Sequence, residues 1–150
     1  MLSPNSLAST DNLKAFSGYL NQREELLAAG IEVLEYRPDP KIQAEIMDRY
    51  AALRDEAPVF AVHAKTLVVD RRVVFVGTYN LDPRSENLNT EVGVVIHDLG
   101  HAAAVADAIA TDMLPENSWN AASDDPDQYA SWAKRARAWL TSWLPLQPVL

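Results

Sequence analysis

His63-Ala64-Lys65-Thr66-Leu67-Val68-Val69-Asp70, then Gly77-Thr78-Tyr79-Asn80, then Glu91, is the stretch on which the fold and the chemistry both turn. Residues 59–69 form a β-rich run, Asp70-Arg71-Arg72 supplies turn residues, and 73–77 is the returning strand, so the local expectation is a β-hairpin. Side chains two apart on a strand share a face, which aligns His63 with Lys65 and, if strand geometry persists, Thr78 with Asn80. An imidazole, an ammonium, an amide, a hydroxyl and the Glu91 carboxylate converging on an apolar hairpin read as a site rather than a solvated surface.

Outward from the hairpin the chain alternates helix and strand. Ser9-Thr10-Asp11 is a cluster of helix-capping residues and Gly30 a stop, with a helix of about 16–18 residues between them. Residues 31–36 alternate as a strand. Ile42, Ile46, Tyr50 and Leu53 line one face of a second helix. Residues 81–90 read as a loop, and 91–97 as an inner strand apolar on both faces. An Ala-rich helix over 100–114, a polar connection over 115–128 and a last helix over 128–144 complete the chain. Strands alternating with helices give an α/β layered domain.

The 150 residues suffice for one domain with a real core, and 48% hydrophobic with 23% charged residues is a globular composition. No apolar run reaches the ~18–20 residues of a membrane span. The chain has no cysteine, which excludes disulfides and thiolate metal sites. A net charge of −8 speaks against a nucleic-acid binder and provides no long-range attraction to an anionic membrane.

The spacing H-x-K-x4-D-x6-G-T-x-N-x10-E resembles the HKD motif of the phospholipase D superfamily. The flanking Leu81-Asp82-Pro83-Arg84-Ser85 and residues 88–96 resemble the C-terminal catalytic half of bacterial cardiolipin synthases, as do residues 5–11 and the terminal Leu144-Pro145-Leu146. Thr78 stands where these enzymes usually carry Ser; the hydroxyl is retained. The resemblance implies a phospholipase D-type half-domain over residues 1–150, a mixed β-sheet flanked by helices. It also implies phosphatidyl transfer through a phosphohistidine, with no metal and no cofactor. His63 would attack phosphorus or move the proton, Lys65, Thr78 and Asn80 would hold the phosphoryl oxygens, and Glu91 would orient His63. Asp70 is the alternative orienter, although a turn role suits it better. Arg84 is a candidate for the lipid headgroup, or pairs with Asp82 within the loop.

The expected substrate is a phospholipid such as phosphatidylglycerol, met peripherally at the cytoplasmic face of the cell membrane. The chemistry needs two histidines about one phosphorus. This half therefore requires an N-terminal HKD half, as in a parent cut at Met1, or a second copy as a homodimer. In relatives with both motifs the C-terminal histidine is usually the general acid–base. Two other readings stand beside this one: a homodimeric phosphodiesterase or nuclease, and a catalytically silent isolated half.

Two further features invite interpretation. His97 and His101 have H-x3-H spacing, but Gly100 and the strand-to-helix junction spoil the register, and Asp98 serves equally as a helix cap. Trp132, Trp139 and Trp143 fall on one face of the last helix, with Lys134, Arg135 and Arg137 mostly off it. The prevailing expectation is that this helix docks on its own domain, and the alternatives are a missing half or a bilayer.

Overall fold

The computed structural model describes residues 1–50, 58–80 and 82–143. Its elements run α1 (Leu13–Ala28), β1 (Leu34–Tyr36), α2 (Gln43–Asp48), β2 (Thr66–Val69), β3 (Val73–Gly77), α3 (Pro83–Asn87), β4 (Gly93–His97), α4 (Leu99–Asp112), β5 (Ser118–Asn120) and α5 (Trp132–Ser142), with a 3-10 turn at Pro126–Tyr129 before α5. This is an α/β chain. Its described residues divide into two units, 1–62 with 112–143, and 63–111. Among the described residues no helix is long and apolar enough to cross a membrane.

In the first unit α1 begins one residue past the expected cluster, at Asn12, whose side chain accepts from the Ala15 N–H at 3.2 Å. It ends as Gly30 predicts. Gly30 adopts φ +77°, its N–H donates to the Leu27 carbonyl, and the Ile31 N–H reaches back to Leu26. That is the paired-bond helix stop in which only glycine avoids a Cβ penalty. α1 packs against α5 around Leu7, Phe16, Ala130 and Ala138. Ser17 and Thr141 share a hydroxyl hydrogen bond of 2.5 Å, and the Lys134 ammonium donates to the Ala8 and Thr10 carbonyls at 3.0 and 2.7 Å.

β1 pairs antiparallel with β5, and parallel bridges Leu2–Val33 and Asn5–Tyr36 add the N-terminal segment beside it. β5 lies inside the stretch expected to be a polar connection. Trp119 supplies the missed signal, since it is buried and stacks on Tyr129 with centroids 4.3 Å apart. α2 is also shorter than expected. Ile42 and Ile46 are half-buried and Met47 is buried, but Tyr50 is exposed and lies past the helix end, while Leu53 falls outside the described residues.

A fully buried carboxylate crosses this unit. Arg23 on α1 grips Asp127 through both terminal nitrogens, at 2.7 and 3.2 Å, and donates to Glu35 Oε1 at 2.9 Å. The Tyr19 hydroxyl donates to the same Glu35 oxygen at 2.7 Å. Burial raises the Glu35 pKa, while the Tyr19 and Arg23 hydrogen bonds pull the other way.

The second unit is a three-stranded antiparallel sheet in the order β2-β3-β4, with α4 following. Asp70 and Arg71 both take positive φ, 51° and 55°, and the Arg72 N–H closes the turn on the Val69 carbonyl. This backbone twist matches that of the flanking strands. Arg71 ties the turn to α4 through Asp107 at 2.7 Å. Asp98 accepts from the His101 N–H at 2.6 Å and so caps α4.

β4 departs from expectation: it is an outer strand of this sheet, and Val94 and Val95, on opposite faces, are both exposed. Apolar side chains on both faces suit a strand buried on both faces, but do not by themselves place a strand inside a sheet. Gly77 and Gly93 sit opposite each other in register, and the Phe75 ring lies across both. A Cβ at Gly77 would come within 2.7 Å of that ring and of the Val92 carbonyl. Gly77→Ala is therefore expected to destabilise the chain by about 1–3 kcal/mol, seen as an earlier midpoint in urea unfolding.

Candidate functional site

Strand register assembles the site. Lys65 accepts, through its carbonyl, the Gly77 N–H at 3.1 Å, which extends the β2–β3 ladder by one step. Thr78 donates its N–H to the Val92 carbonyl at 2.9 Å, extending β3–β4 likewise. One end of the sheet thus gathers Lys65 from before β2, Thr78 from after β3 and Glu91 from before β4, with His63 two residues upstream of Lys65.

The strand expected over 59–69 begins only at Thr66, so His63 and Lys65 precede it in non-strand chain. His63 is exposed, Lys65 is half-buried, and the Lys65 ammonium turns back onto the His63 carbonyl at 2.9 Å. A backbone carbonyl is a weaker partner for an ammonium than an anionic oxygen would be.

Thr78 and Glu91 form the tightest contact of the cluster. The Thr78 hydroxyl donates to Glu91 Oε2 at 2.5 Å and accepts from the Val92 N–H at 3.0 Å. The Glu91 pKa is lowered by the Thr78 hydroxyl first, then by hydrogen bonds from Ser85 and Asn89 and by the charge of Lys65. These contacts favour the ionised form of Glu91. The Thr78 hydroxyl takes the place at Glu91 that the sequence reading gave to a ring N–H of His63. Thr78→Val is expected to move the Glu91 pKa back up toward its ordinary value, and Thr78→Ser to leave it lowered, read from carboxyl carbon shifts in an NMR pH titration.

Residues 82–87, expected within a loop, contain the single-turn α3. The Asp82 side chain caps it by accepting from the Ser85 N–H at 2.7 Å. A proline at the first helical position has no N–H to satisfy there, and Asp-Pro is the signal that favours a helix start. Among the described residues no ion pair joins Asp82 to Arg84, which was expected within the loop; the Arg84 guanidinium donates to Asn89 Oδ1 at 3.2 Å.

The helix carries Ser85 inward, where its buried hydroxyl accepts the Asn80 N–H at 3.2 Å. Ser85 and Asn89 are the site residues that sequence reasoning missed. Ser85 was legible in principle, because Asp-x-x-Ser is a cap spacing that turns the third residue toward the helix start. Asn80 itself is exposed at the same end of the sheet.

Asp70 stands apart. It occupies the turn at the far end of β2, the length of that strand from Lys65, and its positive φ assigns it to turn geometry. Of the residues read from sequence, Lys65, Thr78, Asn80 and Glu91 come to one end of the sheet with His63 adjoining, Arg84 lies on the neighbouring helical turn, and Asp70 is excluded. Among the described residues there is no group of three or more His, Asp or Glu side chains able to hold a metal ion.

Residues 7–113 match the family described as cardiolipin synthase, PLD-like domain. The chain is 40% identical over 92 residues to cardiolipin synthase C of Escherichia coli K12, an overlap covering 61% of this chain and 19% of that protein. It is 46% identical over 56 residues to cardiolipin synthase 2 of Staphylococcus epidermidis, covering 37% and 12%, and 43% identical over 53 residues to the major cardiolipin synthase of Bacillus subtilis, covering 35% and 11%. The matched region thus spans less than a fifth of the length of these relatives. No solved structure matches the chain. With more than half of its residues matched, the chain belongs to the phospholipase D-like domain family of the cardiolipin synthases.

Proposed function

We propose that this chain supplies one histidine half-site of a phosphatidyltransferase that cleaves a phospholipid phosphodiester and passes the phosphatidyl group to an alcohol of another lipid. The observation that carries the reading is the gathering of Lys65, Thr78, Asn80 and Glu91 beside His63 at one end of the β2-β3-β4 sheet.

A phosphodiester resists attack because its anionic oxygens repel nucleophiles. Two imidazoles divide the displacement into two smaller barriers. One ring nitrogen forms a bond to phosphorus as the bond to the leaving oxygen breaks, and the second imidazole gives that oxygen its proton. The second imidazole then takes the proton of the acceptor alcohol, whose oxygen attacks phosphorus and releases the first ring. His63 provides one of the two rings. Its role, attack or proton transfer, is a property of the pair. Lys65 and the Asn80 amide stabilise the charge on the non-bridging oxygens in the transition state. Hydrogen bonds from Thr78 and Ser85 favour the ionised form of Glu91.

The second histidine comes from a second copy of the chain or from an N-terminal half. Contact with the lipid is peripheral, at the cytoplasmic face of the membrane. The test is the solution mass by light scattering together with turnover of phosphatidylglycerol, wild type against His63→Ala. A dimer with His63-dependent turnover supports a site built from two copies. An inactive monomer that becomes active when mixed with the N-terminal half of a relative supports the other source. Turnover unchanged by His63→Ala, or a folded chain silent in both settings, overturns the proposal.

A further inference from the structure

The last helix was expected to dock on its own domain, and it does so through the side opposite its tryptophans. Ala138 is buried in the core, Thr141 bonds Ser17, and the Lys134 ammonium is drawn inward onto two carbonyls. This inner face leaves Trp132, Trp139 and Trp143 outward, 81%, 61% and 72% exposed, with Leu140 beside them. Trp139 and Trp143 meet edge to face at 5.6 Å. Four large apolar side chains left exposed on a helix otherwise seated in its domain mark an interaction surface.

The chemistry of the ridge selects the occupant. Indole combines a large apolar body with an N–H donor, and so favours the boundary between water and hydrocarbon. Arg135 and Arg137 are exposed on either flank of the ridge, and α5 contains no carboxylate, although the chain as a whole carries −8. That is a local cationic strip on an acidic protein, complementary to anionic headgroups. A second copy fits less well. Two-fold pairing of this helix with itself would bring both pairs of arginines into one interface, with no acid on either helix to compensate.

We infer that the outward face of α5, Trp132, Trp139, Leu140 and Trp143 flanked by Arg135 and Arg137, lies in the interfacial region of an anionic phospholipid bilayer. The surface shares no residue with the cluster beside His63, and the inference holds whether or not the proposed transfer occurs.

The experiment adds vesicles of phosphatidylcholine, plain or with about a quarter phosphatidylglycerol, to the 150-residue chain and follows tryptophan emission. Emission is expected to shift to the blue, to be quenched by lipids brominated high in the acyl chain, and to do so more strongly with the anionic lipid. Because these side chains are exposed, Trp139→Gln/Trp143→Gln should keep the circular dichroism of the parent while its partitioning falls roughly tenfold or more. Arg135→Gln/Arg137→Gln should lose about tenfold on anionic vesicles only. His63→Ala should bind as the parent does, which separates this inference from the catalytic one. Absence of binding at millimolar lipid, or undiminished binding by the double-Trp variant, overturns the inference. So does a blue shift that grows with protein concentration in the absence of lipid, because a second copy then covers the ridge.

Discussion

His63→Ala is expected to lower phosphatidylglycerol turnover by at least about 10⁴-fold in any assembly that completes the two-histidine site. The magnitude follows from what the ring does in either role. As attacker it forms the phosphorus–nitrogen bond, and the two-step path disappears with it. As acid–base it handles the proton in both steps, so its loss is felt in each. Lys65 and Asn80 remain in the variant and still bind the phosphate, so the loss should fall on kcat and leave KM nearly unchanged. A fall of that size in kcat/KM carried mostly by KM would instead make His63 a binding residue. In a homodimer, mixing His63→Ala chains with wild type should give heterodimers as inactive as the variant itself, because both histidines are needed at once.

The second large effect lies in the buried charges of the first unit. Arg23→Leu is expected to cost about 3–5 kcal/mol of stability, because Glu35 is fully buried and loses its cation while Asp127 loses a two-point grip. The cost depends on pH with a definite sign. The folded-state pKa of Glu35 is raised, so the folded chain holds its proton at pH values where the unfolded chain has released it. Its contribution is fully present below the unfolded value of about 4.3 and is lost as pH rises through the raised folded value. Removing Arg23 takes away one of the pulls that hold the folded value down. The variant's deficit should therefore be larger at pH 7 than at pH 4, and urea midpoints at both values measure it. Arg23→Leu/Glu35→Leu should recover part of the loss at pH 7, since the unpaired buried charge is gone. A deficit independent of pH would mean that Arg23 acts through packing alone.

These residues show how far a sequence carries. The hairpin, the stop at Gly30 and the cap at Asp98 were legible because each depends on neighbours within a few residues. The candidate residues were legible because the ladder follows from alternation and a tight turn, which together bring Lys65, Thr78 and Glu91 to one end. Local pattern failed wherever the outcome depended on a distant partner. β4 has the composition of an inner strand, and the exposure of Val94 and Val95 depends on what packs against them. β5 was hidden because its pairing partner, β1, is far away in sequence. For α5 the tryptophan stripe was visible, but its direction was not. Small residues such as Ala138 and Thr141 let α1 approach closely, and the large ones were left outside.

The strand order has a kinetic consequence for the site. The hydroxyl of Thr78 comes from the central strand, whereas Lys65 and Glu91 ride on the two flanking ones. Strand ends fray from the flanks of a sheet inward, so amides beside the two charged groups should exchange with deuterium before those of the middle strand. Under mild stress the two charged groups should therefore part while the framework beneath them is still intact.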